Sequence, residues 1–295
     1  MSNHPQGEFS KNMVVDALTV EIAEVNFPDP QPVVLKSNPV TLASQLRVTT
    51  VPYGYDIVLG NIADKTPIFK TGFQATVNNV EVDLWNVVGK YVFPTGAMGM
   101  EVTSTSTSDT ALGSGARTVK IWYLTTAFAE KTETITLNGT GVVPTVATDL
   151  FRINAFRVLT AGTGDSAAGT ISLRHIDNTP IYSQIAPGNT RGRNSIYTVP
   201  VDKTLYITHI TYSVGNATGG RYARFTLRAT YDDKAGAASS VFYPYHEIGI
   251  QDGAFSMSFE FPIKLPAGTD VKISVISDAG NADAICTGAY RGWQE

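Results

Sequence analysis

Residues 113–158, GSGARTVKIWYLTTAFAEKTETITLNGTGVVPTVATDLFRINAFRV, decide the fold class. Residues 134–137 carry a β-branched side chain at almost every position, and Asn138-Gly139 follows at once. Asn and Gly tolerate the positive φ of a tight turn, so this run predicts a strand ended by a hairpin turn. Residues 118–124 are rich in Val, Ile, Trp and Tyr, which fit a pleated, half-buried surface. The stretch supplies no nucleophile with a paired base and no metal-ligand cluster. It reads as scaffold.

The rest of the chain extends that reading. In 255–261, Phe255, Met257, Phe259 and Phe261 alternate with Ser256, Ser258 and Glu260. In 223–231, Ala223, Phe225, Leu227, Ala229 and Tyr231 alternate with polar residues. A period of two puts one set on the buried face of a strand. Further strands are expected at VKISVIS, AICTGAYRGW and YTVPVDKTLYITHI, and at short pieces such as YDIVLGNI and TPIFKTGFQATV, each bounded by turn residues. Only residues 81–91 suggest a helical turn. The fold class expected is mostly β, with an antiparallel β-sandwich or jelly-roll C-terminal region preceded by a smaller β-rich N-terminal region. The divisions expected are a flexible arm and Pro-rich connector at 1–32, a β-rich attachment region at 33–100, and a jelly-roll-like sandwich at 101–295.

Composition narrows the function classes. With 295 residues, 43% hydrophobic and 16% charged, the chain can bury a sizeable core. A net charge of −4 gives no general basic field for nucleic acid. The lone Cys286 forms no disulfide framework and reads as a small apolar residue on the last strand. The polar N-terminus lacks the apolar core of a secretory signal, and no run of about 18 apolar residues predicts a membrane span.

No constellation carries catalysis. His4, His175, His209 and His246 show no zinc-ligand spacing. His246 and Glu247 are adjacent on an expected strand, so they point to opposite faces. The glycine-rich loops join β-segments and open no helix, and Asp232-Asp233 and Asp177-Asn178 read as turn acids. No catalytic, cofactor or metal residue is expected. Two stretches suggest contacts. Arg191 and Arg193 in NTRGRN (189–194) form a candidate loop for a carboxylate or an acidic surface, against the plainer reading of a solvated turn. Phe242, Tyr243 and Tyr245 around Pro244 form a candidate interface anchor, against the plainer reading of core packing.

Beyond these residues, 69–158 resembles a family of tailed-bacteriophage virion structural proteins. The resemblance is carried by Leu84-Trp85, residues 91–94, Gly115-Ala116-Arg117-Thr118-Val119, Leu137-Asn138-Gly139 and Arg152-Ile153-Asn154, and continues more loosely through YTVPVDKTLYIT and FPIKLPAG. It covers about two-thirds of the chain and leaves the first sixty residues aside. It implies a virion component made in the host cytoplasm. A head decoration or head-fibre-type protein is expected first, homo-oligomeric and trimeric, contacting the major capsid or other virion proteins. A tail, collar or baseplate component binding host-surface glycans is the alternative. A polysaccharide hydrolase would need two facing carboxylates about 5–9.5 Å apart, and no such pair stands out.

Overall fold

The computed structural model describes residues 53–216, 222–278 and 284–295. The expected arm and connector, and the strands expected before residue 53, lie outside these. Residues from Pro52 to Glu295 form one compact unit. Its order is α1 (Tyr53–Val58), β1 (Thr66–Val77), β2 (Val82–Asp83), β3 (Met100–Ser104), β4 (Ala116–Leu124), β5 (Glu130–Thr136), β6 (Val143–Pro144), β7 (Arg152–Ala161), β8 (Ile171–His175) and β9 (Ile181–Ile185). Then come β10 (Tyr197–Thr198), β11 (Leu205–Asn216), β12 (Ala223–Asp232), β13 (Ala237–Ile250), β14 (Gly253–Leu265), β15 (Asp270–Ser277) and β16 (Ala284–Gln294). The expectation of a mostly-β, antiparallel sandwich fold holds.

The strands form two sandwiches. In the first, one sheet has the order β1-β16-β11-β14 and the facing sheet β10-β15-β12-β13, with β2 also on β15. The alternation read in 223–231 holds here: Ala223, Phe225, Leu227 and Ala229 are buried. Phe225 stacks on Tyr212 of the opposite sheet, with ring centroids 5.0 Å apart. Cys286 lies in the same core, and burial pushes its thiol up to about 12. In the second sandwich, β6-β3-β8-β9 faces β5-β4-β7. Val102, Ile121, Phe156 and Leu173 belong to its separate core.

The second sandwich is inserted within the first. Val82 and Asp83 of β2 pair with β15 at Val275 and Ser274. The chain then departs, builds β3–β9, and returns at β10, where Tyr197 and Thr198 pair with Val271 and Asp270 of the same strand. Departure and return touch: the amide of Ser195 donates to the Leu84 carbonyl at 3.0 Å, and that of Leu84 to the Ile273 carbonyl at 2.8 Å.

These facts correct the expected divisions. Residue 100 separates nothing, because β1 on one side is zipped along β16 on the other. The region 101–295 holds one whole sandwich and most of another. Alternation shows which face of a strand is buried but not which partner it meets. Three local expectations also change. YDIVLGNI begins in α1 and is not a strand. Residues 84–89 turn without forming a helix. The turn at Asn138-Gly139 exists, with Gly139 at φ 61°, but it carries the chain from β5 in one sheet to β6 in the other and closes no hairpin.

The motifs quoted above hold this frame together. Asp109 is buried, and its carboxylate accepts from the Ser104 hydroxyl (2.6 Å) and from the amides of Ala116, Ala168 and Gly169 (2.8–2.9 Å). Gly115 is required beside it, since a Cβ there would overlap the Asp109 carboxylate and Ala168. Arg152 of the second sandwich reaches Asp270 of the first through Nε at 2.9 Å and Nη2 at 3.1 Å. Two residues on, the Asn154 amide group brackets the Thr198 backbone with two hydrogen bonds of 2.9 Å.

Candidate binding cleft

Because β1 is an edge strand, its residues from Thr66 to Thr71 line a cleft of about 450 Å³. Residues 153–157 of β7 and the loop 191–194 form the other side. The period of two exposes Phe69 (58% accessible) on β1 and turns Lys70 toward the second sandwich. There the Lys70 ammonium donates to the Asn154 carbonyl at 2.6 Å and lies 5.6 Å from the Tyr197 ring centre. Burial, and then the neighbouring Arg157, lower its pKa from the ordinary 10.5 to about 7.

The loop read as NTRGRN belongs to this cleft. It runs beside β7: the amide of Gly192 donates to the Phe156 carbonyl at 3.0 Å, and that of Val158 to the Thr190 carbonyl at 2.8 Å. Arg191 is exposed at the rim and bridges to Arg157 through the backbone. The Arg193 guanidinium lies 4.0 Å from the Phe73 ring centre, and its buried Nε has no hydrogen-bond partner. Arg157 lies over Trp122 at 5.5 Å. Lys70, Arg157, Arg191 and Arg193 thus face a single carboxylate, Glu130. Among the described residues, none of the three arginines has a carboxylate within ion-pairing distance.

The aromatic group lies elsewhere and is engaged internally. Phe242 is half-buried, packed 5.6 Å from Phe93 with the Lys272 ammonium 4.5 Å over its ring. Tyr245 packs against the first core and donates to the Tyr231 carbonyl at 3.0 Å. Tyr243 is half-buried opposite Ala229. Alternation along β13 splits Phe242 from Tyr243, so the three make no common surface.

Among the described histidines, His246 and His209 are held by rings and hydroxyls, and His175 lies 3.4 Å from the exposed Asp177 carboxylate. His246 stacks between Tyr212 and Phe255, at 5.9 Å from each, and burial lowers its pKa. His209 contacts Ser258 through Nδ1 at 2.9 Å and Ser256 through Nε2 at 2.8 Å. With hydroxyls on both nitrogens, neither is oriented by a carboxylate. No group of three or more His, Cys, Asp or Glu converges among the described residues. Residue spacing could find Arg191 and Arg193. It could not find Lys70, Phe69, Trp122 or Arg157, which only the crossing of β1 past β7 brings to the loop.

No family model matches the chain, and no curated protein matches it. Among solved structures, a chain of the infectious bursal disease virus Gt strain is 9% identical, with 83% of this chain and 77% of that one covered, at a TM-score of 0.21. A chain of the Gx strain is 11% identical, with 83% and 76% covered, at 0.20. Likeness at that level carries no argument about this protein.

Proposed function

We propose that this chain is a non-enzymatic structural protein of a virion, on the head exterior of a tailed phage as a decoration or head-fibre-type protein. The observation that carries the reading is the strand order of the first sandwich. One sheet runs first, last, third, sixth and the other second, seventh, fourth, fifth, counting β2 and β10 as one interrupted strand. We read this as the order of an eight-stranded jelly roll, an architecture that recurs in viral capsid and lectin domains. The resemblance of residues 69–158 to phage virion proteins supports the same reading. Self-association as a trimer and contact with capsid proteins belong to the proposal. Immunogold labelling of intact particles with an antibody against residues 200–295 tests it. Label over the head is expected; particles without label would overturn the virion reading.

One observation favours a second reading, a tail, collar or baseplate component that binds the host surface. The cleft concentrates arginines without carboxylate partners beside an exposed ring, which a purely architectural surface does not require. Label confined to the tail or neck would favour it over the head.

A further inference from the structure

We propose that the cleft between β1 and β7 binds an acidic saccharide, its carboxylate held by Arg191, Arg193 and Arg157 and a sugar ring laid on Phe69. The proposal deepens the host-surface reading by naming a ligand class. It concerns the isolated chain, so it stands or falls apart from where the label appears on particles.

Charge is the first argument. Three arginines and Lys70 line the cleft with one carboxylate among the lining residues. A guanidinium is a planar fork of donors that fits a carboxylate with two parallel hydrogen bonds. Among the described residues none of the three guanidinium groups has a carboxylate within ion-pairing distance, so an incoming carboxylate meets uncompensated positive charge.

Size and lining distinguish a sugar from other anions. A volume of about 450 Å³ falls within the roughly 300–1,000 Å³ of small-ligand sites. It suits two or three sugar rings and far exceeds a bare phosphate. Phe69 presents an exposed face, whose negative π-cloud complements the weakly positive C–H edges of a pyranose ring. Ser183, Asn194 and Glu130 also line the cleft and offer hydrogen-bonding groups to hydroxyls. Glu130 at the same time repels a run of carboxylates, which disfavours an acidic peptide.

Calorimetric titration of the full chain tests this, with glucuronate and sialyllactose, each carrying a single carboxylate, as acidic probes. Maltotriose, hexaglutamate and inorganic phosphate serve as contrasts. At least one acidic sugar is expected to saturate while the contrasts bind at least about tenfold more weakly. Arg191→Gln and Phe69→Ala, both at exposed positions, should each weaken that binding by about tenfold, the size of one charge-assisted hydrogen bond for Arg191 and of one ring contact for Phe69, with melting temperature unchanged. Failure of both acidic sugars to bind would overturn the proposal. Equal affinity for hexaglutamate or phosphate would overturn it too, as would undiminished binding by Arg191→Gln.

Discussion

The carboxylate of Asp270 sits where the two sandwiches meet. It accepts from Arg152 and, at 2.5 Å, from the Thr198 hydroxyl, while its own amide donates to the Thr230 hydroxyl at 2.9 Å. The side chains of Arg152 and Asp270 are only 13% and 10% exposed. Asp270→Ala would leave a guanidinium buried and unpaired, so it should cost about 3–5 kcal/mol in urea denaturation. A loss below about 1 kcal/mol would mean that the pair is solvated and joins nothing. Lys70 behaves in the opposite way. Its folded pKa of about 7 lies below the ordinary 10.5. Between those values the unfolded chain binds a proton that the folded chain does not, so stability rises with pH across that window, and the destabilisation is complete below it. Lys70→Met should flatten this slope and stabilise the protein at pH 7. Denaturant midpoints at pH 7 and pH 10 read both effects, and an unchanged slope would contradict the burial of the amine. Neither residue announces itself in the sequence, because charge alone does not show whether water reaches it.

At the scale of elements, the strands were legible and their partners were not. The two-residue alternation marks the inward side chains of β12 correctly from Ala223 to Ala229. It fails for β14 only where the register shifts. Leu205 to Ile207 pair with Leu265 to Ile263, but His209 pairs with Ser258, so extra residues bulge out and Phe261 is left 81% exposed. A bulge lengthens one strand against its neighbour, and no residue type in 255–261 signals it. β1 carries a tighter constraint. A Cβ at Gly72 would overlap the Leu84 carbonyl oxygen where the chain leaves the first sandwich. Gly72→Ala should therefore destabilise the protein by about 1–3 kcal/mol, read by thermal denaturation. An unchanged melting temperature would show that the chain does not cross β1 there.

For the whole molecule, residues 69–158 span both sandwiches, and no motif within them marks the boundary between the two. The insertion is visible only in space, where β2 and β10, more than a hundred residues apart, sit on one neighbour. Its consequence is the cleft, formed because an edge strand of one sandwich runs along an edge strand of the other. The loop 189–194 was legible as a candidate because two arginines flank a glycine, and its residues 191–194 line the cleft. The remaining cleft residues became neighbours only through this nesting of one fold in another. If the first sandwich is a complete body interrupted by an insertion, it should survive the insertion's removal. The most direct measurement is the thermal unfolding of a chain in which residues 86–193 are replaced by a short glycine linker, since Leu84 and Ser195 already touch. One cooperative transition is expected, at a lower temperature than that of the intact protein, with the β-sheet circular dichroism of a folded sandwich. A chain that shows no cooperative transition would contradict it, and would mean that the two sandwiches form a single inseparable core.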